Sequence, residues 1–124
     1  MTLPRNVRGR SAQLRGLASE AACCAALVAD GWTIHGRRLR TAAGELDIVA
    51  ERAGVLAIVE VKQRARLAGA AESLSPRQRV RLLGAAEILL AANPAWGCNG
   101  VRFDLMVVDG QGAIRRIADA FRLE

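Results

Sequence analysis

Residues 44–63, GELDIVAERAGVLAIVEVKQ, decide the fold of this chain. Glu45–Ala50 alternates between apolar and polar residues, which is typical of a half-buried strand. Val55–Lys62 is a nearly continuous apolar run that ends in charged residues, which indicates a second strand. Between the two runs, Glu51–Gly54 reads as a tight connection. The stretch therefore predicts a β-hairpin.

A helix is predicted before the hairpin. Ser11 is a good N-cap for a helix from about Ala12 to Ala29, and Gly31 suits its end. Residues 1–10 are predicted to be a flexible basic arm, and residues 11–124 a single domain. Apolar residues at helical spacing predict the buried stripe of this helix. They are Leu14, Leu17, Ala18, Ala21, Ala25 and Val28.

The remaining elements follow from turn and capping residues. Trp32–Leu39 is predicted as a strand, and residues 63–74 as a polar loop. Ser75-Pro76 predicts a helix start, and this helix runs to about Ala92 before Asn93-Pro94. Two more strands follow, Val101–Val108 and Ala113–Ala118. The order α-β-β-β-α-β-β predicts an α/β domain with a mixed central sheet flanked by helices.

Composition limits the class of partner. The 124 residues include 18 basic and 12 acidic residues, giving a net charge of +6 and a pI near 10.9. This surplus favours a polyanionic partner, nucleic acid before an acidic membrane, although a basic surface can also serve solubility alone. Without a run of about 20 apolar residues, no membrane span is predicted. Three cysteines and no export signal favour the reducing cytoplasm.

Three charged residues of the hairpin stand out as a candidate site. Glu60 and Lys62 project from the same face of their strand, because strand side chains alternate. With Arg52-Ala53 at the turn tip, Asp47 lies opposite Ile58 and diagonal to Glu60, about 7–8 Å away. Of the 18 basic residues 17 are Arg, so the single lysine at this position is notable.

The residue types suit divalent-metal chemistry. Carboxylates are the hard oxygen ligands that Mg²⁺ and Mn²⁺ prefer, so Asp47 and Glu60 are predicted metal ligands. Lys62 would orient the attacking water or stabilise the negative charge of a transition state. Glu20 of the first helix would bring a further carboxylate to the metal. The alternative interpretations are a plain Glu60–Lys62 ion pair and a solvated helix residue at position 20.

Three segments of the sequence resemble those of a known family. Gly44–Ala50 (GELDIVA), followed by Val59–Arg64 (VEVKQR) and Val101–Asp104 (VRFD), resembles the YraN family of uncharacterised bacterial proteins. That family is similar to the restriction-endonuclease-like, PD-(D/E)XK nucleases and, more closely, to archaeal Holliday-junction resolvases. The resemblance covers most of the chain, and the paired motifs are more specific than either motif alone.

The resemblance implies a restriction-endonuclease-like fold and a set of roles. Asp47 and Glu60 match metal ligands, Lys62 matches the catalytic lysine, and Glu20 matches the helix acid of resolvase-like proteins. The family often has Thr where Gln63 stands, which bears on substrate contacts. Resolvase-like proteins are dimeric, which leaves a homodimer open for this chain.

Asp47, Glu60 and Lys62 are called the trio below. Basic residues outside the trio are candidates for phosphate contacts. The predicted nucleic-acid-binding residues are Gln63, Arg64, Arg66, Arg77 and Arg81, and the alternative is an ordinary solvated face. Trp32, Trp96, His35 and Asp104 are interpreted as structural, His35 because it has no evident partner.

Three functions remain open from the sequence. The leading hypothesis is a Mg²⁺- or Mn²⁺-dependent endonuclease that hydrolyses phosphodiester bonds in DNA, favouring branched or structured DNA. The second is a nucleic-acid-binding module that keeps the fold without cleaving. The third is an interaction protein that docks through its Ala-rich helix.

Overall fold

Seven elements build one five-stranded sheet with two helices. The computed structural model describes residues 5–64 and 74–121, with side chains for 16–64 and 74–120. The elements are α1 (Arg5–Ala29), β1 (Thr33–Thr41), β2 (Gly44–Arg52), β3 (Val55–Gln63), α2 (Pro76–Ala92), β4 (Gly100–Val108) and β5 (Ile114–Phe121). The strands lie in the order β1-β2-β3-β4-β5, with β3 and β4 parallel and the other neighbours antiparallel. The predicted order and the mixed sheet flanked by helices are confirmed.

Each face of the sheet carries its own apolar cluster. On one face, strand residues such as Leu46 and Ile58 pack with Leu82 of α2, and we call this the α2-side cluster. On the other face, Ile48 and others pack with Leu27 of α1, in the α1-side cluster. The central strand β3 contributes to both clusters, which explains its continuous apolar sequence.

Helix α2 has the predicted bounds because its ends are fixed by local chemistry. The Ser75 hydroxyl accepts a hydrogen bond from the Gln78 backbone N–H, and the Gln78 side chain accepts one from the Ser75 N–H. This capping box, with Pro76 in the first turn, fixes the start. Asn93 caps the other end, where its side chain donates to the Leu89 carbonyl.

Helix α1 begins earlier than predicted. It starts at Arg5 rather than near Ala12, so residues 5–10 of the predicted arm are helical. Arginine is a strong helix former, and a single glycine such as Gly9 costs only about 1 kcal/mol, so a local cap at Ser11 did not set the start. Residues 1–4 lie outside the described residues, and the flexibility of the arm stays a prediction.

The predicted buried stripe of α1 is wrong. The side chains of Leu17 and Val28 are 36% and 57% exposed, and Ala18, Ala21 and Ala25 are exposed too. The face that meets the sheet instead carries Ser19, Glu20, Cys23 and Leu27. The helix is apolar on most sides, so its periodicity could not choose a face. Leu14 lies outside the described side chains.

The predicted hairpin register is also wrong, by two residues. Ala53 and Gly54 form the turn, with φ of 52° and 78°, and Arg52 pairs with Val55. Two central residues with positive φ are characteristic of the tight turn that matches strand twist. Val49 therefore pairs with Ile58 and Ile48 with Val59. Asp47 lies one residue before the Ile48–Val59 pair, the last pair of this register, and is not opposite Ile58.

The observed ends of the strands differ from the predicted ends by only a few residues. Strand β1 begins and ends later than predicted, β2 and β3 are slightly longer, and β4 begins at Gly100. Strand β5 runs three residues beyond the predicted end, because it continues to pair with β4 up to the Phe103–Phe121 pair. Most of the predicted loop, residues 65–73, lies outside the described residues.

Candidate metal and nucleic-acid site

The predicted site residues of α1, β2 and β3 meet at one cavity. It has a volume of about 390 Å³ and opens between α1 and the ends of β2 and β3. Its lining contains all four predicted catalytic residues and two of the predicted nucleic-acid contacts. These lining residues are Glu20, Asp47, Glu60, Lys62, Gln63 and Arg64, together with Gly16, Ser19 and Val61.

Asp47 lies at an irregular point of β2. Leu46 belongs to the α2-side cluster and Ile48 to the α1-side cluster, although residues two apart in a regular strand share a face. The alternation of β2 therefore changes phase at Asp47. The Asp47 carboxylate accepts a hydrogen bond of 2.8 Å from the Val61 backbone N–H. This bond ties the carboxylate to β3, beside Glu60.

The surroundings of Asp47 disfavour its negative charge. Burial is the main cause that raises the pKa of Asp47, from 3.8 to about 7, followed by repulsion from Glu60. Glu20 adds to the increase, while the Val61 hydrogen bond and Lys62 oppose it. A carboxylate in this condition would be stabilised by a cation in the cavity.

Glu60 is buried, with 5% of its surface exposed. Its Oε1 accepts a hydrogen bond of 3.1 Å from Nη2 of Arg81, and Nζ of Lys62 lies 3.5 Å from the same oxygen. Its Oε2 is buried and accepts no hydrogen bond from the residues that the structure describes. Leaving a charged oxygen buried and unpaired is costly, so Oε2 is an acceptor that a cation would satisfy.

Glu20 is held away from the other two carboxylates. It is buried and accepts a hydrogen bond of 2.8 Å from Nε of Arg38, a residue with a φ of 51°. In the described ranges, no three His, Cys, Asp or Glu residues are arranged closely enough to hold one metal ion. Glu20 thus lines the predicted site, but its carboxylate is directed to Arg38.

Of the three acids Glu20, Asp47 and Glu60, the last two are suited to binding a hard divalent cation. Asp47 and Glu60 offer oxygen ligands from neighbouring strands, and Glu60 has an oxygen with no hydrogen bond from the described residues. The repulsion that raises the Asp47 pKa is the kind of interaction a bound cation reverses. Lys62 lies close to Glu60, so the ion-pair interpretation of these two residues also holds.

The predicted nucleic-acid contacts differ in their environments. Arg64 and Arg77 are exposed, and Arg64 donates to the Gln63 carbonyl. The Gln63 side chain donates to the Ser19 hydroxyl at 2.6 Å, which links β3 to α1. Arg81 is directed at the buried Glu60 carboxylate, which argues against the alternative of an ordinary solvated face, and its nucleic-acid role stays a prediction. Arg66 lies outside the described residues.

The residues interpreted as structural occupy packed positions. Asp104 is buried and binds Arg102 and Arg116, as predicted for a structural carboxylate. The prediction that His35 has no partner is wrong. Its Nε2 lies 2.6 Å from Oε1 of Glu51, and its ring stacks on Trp96 at 4.3 Å.

Trp32 is buried and has three guanidinium groups 4.8–4.9 Å from its ring centroid. Such contacts are typical of cation–π packing. They belong to Arg52, Arg102 and Arg116. The interpretation of Trp32 as a packing residue agrees with this environment.

The sequence did not predict the two arginine–carboxylate contacts that hold the acids in place, since Arg81 was expected to contact phosphate and Arg38 was not a candidate. Arg38 binds Glu20, and Arg81 binds Glu60, each from an element distant in sequence. A charge pattern could only have indicated that buried acids need cationic partners. Which of the 17 arginines bind the buried acids depends on how α1 and α2 pack on the sheet.

Within residues 5–64 and 74–121, no helix combines the length and hydrophobicity needed to cross a membrane. The three cysteines are free thiols, with Cys23 buried and Cys98 exposed. The cytoplasmic location and the homodimer stay predictions.

An α/β domain with this site can now be placed among known proteins. The chain belongs to the family described as uncharacterised protein family UPF0102, whose sequence model matches residues 19–108 and so includes Glu20, Asp47, Glu60 and Lys62. The resemblance to YraN-like bacterial proteins is thereby confirmed at the family level.

Curated relatives carry the same family name. A UPF0102 protein of Granulibacter bethesdensis is 58% identical over 118 residues, which cover 95% of this chain and 75% of the relative. One of Azorhizobium caulinodans is 46% identical, covering 98% of this chain and 92% of the relative. One of Acidiphilium cryptum is 44% identical, covering 93% and 89%.

Proposed function

We propose that this protein is a divalent-metal-dependent nuclease that hydrolyses phosphodiester bonds in DNA. One observation carries the proposal. Asp47 and Glu60 lie on neighbouring strands and line one cavity with Lys62, and Glu60 keeps a buried oxygen without a hydrogen bond from the described residues. This combination of acids and a lysine suits phosphoryl chemistry better than it suits stability, because buried charges weaken a fold unless they are fully paired.

Each residue of the site would have its own role in the reaction. Asp47 and Glu60 would hold Mg²⁺ or Mn²⁺, with Glu20 as a further ligand if its carboxylate leaves Arg38. When bound, the metal would polarise a phosphoryl oxygen and lower the pKa of a bound water. Lys62 is held by Glu60 at the cavity wall, where its ammonium would stabilise negative charge developing on the phosphate.

The choice of DNA rests on charge and resemblance. The net charge of +6 and the exposed Arg64 and Arg77 favour a polyanion. The GELD and EVK motifs, in this order on a hairpin, resemble those of restriction-endonuclease-like nucleases and Holliday-junction resolvases. We therefore include membership of that superfamily, and branched or structured DNA as substrate, in the proposal.

Cleavage assays with matched variants test the proposal. The purified protein is incubated with Mn²⁺ and with linear, nicked and four-way DNA. Glu60→Gln removes a predicted ligand at nearly constant shape, and we expect at least roughly a hundredfold loss of rate, the size typical for losing one charge-stabilising group. Glu45→Gln is the control, because Glu45 lies on the same strand as Asp47 but is paired with Arg40. If both variants cut as fast as the wild type, or no substrate is cut, the nuclease proposal fails.

One observation favours the non-catalytic alternative. Glu60 already has Arg81 and Lys62 beside it, and Glu20 has Arg38, so much of the acidic charge is balanced without a metal. A nucleic-acid-binding module would bind DNA in a salt-dependent manner that Asp47→Ala leaves unchanged. Calorimetric titration of Mn²⁺ separates the two, because only the nuclease requires uptake that Asp47→Ala removes.

A further inference from the structure

The glycine of the GELD motif has a specific neighbour. A Cβ atom placed on Gly44 would lie 2.5 Å from Cγ and 2.7 Å from Cδ of Arg81. Gly44 also has a φ of 145°, a conformation that residues with a side chain rarely adopt. The aliphatic part of Arg81 therefore crosses from α2 over the start of β2 through space that only glycine leaves open.

The end of this path is the carboxylate of Glu60. Nη2 of Arg81 binds Oε1 of Glu60 at 3.1 Å, on the oxygen that Lys62 approaches to 3.5 Å. Two cations thus share Oε1, while Oε2 receives no hydrogen bond from the described residues. Nε of Arg81 is buried and likewise makes no hydrogen bond within the described part of the chain. The guanidinium is held by Glu60, and the stem of the side chain is held by passage over Gly44.

We propose that Arg81 is a positioning residue and the internal counter-ion of Glu60, which a divalent cation displaces when it binds Asp47 and Glu60. This inference rests on the proposed function. A divalent ion held by Glu60 would place two positive charges beside the Arg81 guanidinium. Charges of the same sign repel strongly at contact distance when they are partly buried. The Arg81 side chain is 38% exposed, so its outer end can turn toward solvent without unpacking α2.

Displacement would give Arg81 a second role. Once it leaves Glu60, its guanidinium is free to bind a phosphate beside the cavity, on the helix that also carries the exposed Arg77. Metal binding would then strengthen DNA binding, and DNA would strengthen metal binding by the same factor. The nucleic-acid role predicted for Arg81 would thus depend on the metal.

Manganese titration without DNA tests the inference. We expect Arg81→Met to bind Mn²⁺ at least about fivefold more tightly than the wild type, the lower end of typical coupling between sites. Arg77→Met, the control, removes the same charge one helical turn away and should change the affinity less than about twofold. Damage to the site would weaken binding, so tighter binding is a result that a merely structural role of Arg81 would not give. Arg81→Lys should restore affinity toward that of the wild type.

A second pair of variants keeps the test decisive. If Arg81→Met does not fold, Arg81→Gln keeps a hydrogen-bond donor for Glu60 without the charge, and the same tightening is expected. Gly44→Ala displaces the stem of Arg81 but also strains the backbone at a φ of 145°, so its Mn²⁺ affinity is compared with that of Gly44→Ala/Arg81→Met: if displacement of Arg81 is the cause of tightening, the second substitution adds little to the first.

The outcomes separate this inference from the proposed function. If the wild type takes up Mn²⁺ in a manner that requires Asp47, and the Arg81 variants bind it equally or more weakly, only the counter-ion inference is overturned. Equal tightening by Arg77→Met would also overturn it, since the effect would then be one of general charge. If neither the wild type nor the Arg81 variants take up Mn²⁺, both proposals are overturned.

Discussion

Replacing Asp47 with Asn should stabilise the protein, by an amount that depends on pH. The pKa of Asp47 is about 7 in the folded protein and 3.8 ordinarily, mainly because of burial and then repulsion from Glu60. Between these values the folded state binds a proton more readily than the unfolded state does. The wild type therefore loses stability as the pH rises from about 4 to 7, and it carries the full cost above pH 7. Asn has no charge and can still accept the Val61 hydrogen bond.

The size of the effect follows from the two pKa values. Their difference corresponds to at most roughly 4 kcal/mol. Water that reaches the carboxylate through the cavity screens part of this, so we expect Asp47→Asn to be more stable by about 2 kcal/mol at pH 8. The gain should shrink through pH 6 and vanish near pH 4.

Urea denaturation followed by circular dichroism, at several pH values between 4 and 8, measures this dependence. Glu45→Gln is the control, since it removes a less buried carboxylate of the same strand. The reasoning is refuted if Asp47→Asn is destabilised at pH 8, or if its difference from the wild type does not change with pH.

Three other changes test separate parts of the structure. Asp104→Ala should lower the free energy of unfolding by about 3–5 kcal/mol in urea denaturation, because it removes the buried carboxylate that both Arg102 and Arg116 bind; a loss below 1 kcal/mol would contradict the buried pairs. Ser75→Ala should cost about 1 kcal/mol through loss of the capping box, while Ser75→Thr should keep most of it. In alkylation with iodoacetamide at pH 8, followed by mass spectrometry, Cys98 should react long before Cys23, whose pKa burial raises to about 12; equal rates would rule this out.

The elements that sequence predicted best are those fixed by local chemistry. Ser75 and Pro76 determine where α2 begins, through hydrogen bonds and backbone angles that involve only nearby residues. The alternating and continuous apolar runs likewise predict β2 and β3, because the apolar residues of both strands are those that the core needs. The catalytic candidates on these strands could be named for the same reason.

The errors lie where several local solutions have similar energy. Either of two turn positions suits the 51–54 connection, and a shift of the tip by one residue changed the partner of Ile58 from Asp47 to Val49. The Ala-rich α1 offers apolar contacts on most sides, so its amphipathicity could not predict that Ser19 and Glu20 would face the sheet.

The sequence by itself determined the α/β order, the hairpin that carries Asp47, Glu60 and Lys62, and the basic charge that favours a polyanion. Each of these depends on residue type and spacing along the chain. Only the tertiary structure decided the electrostatic state of the trio. Packing of α1 and α2 on opposite faces brings Arg38 to Glu20 and carries Arg81 over Gly44 to Glu60. Two of the buried acids, Glu20 and Glu60, are therefore already bound by arginines, because charges buried from water need partners wherever the fold places them.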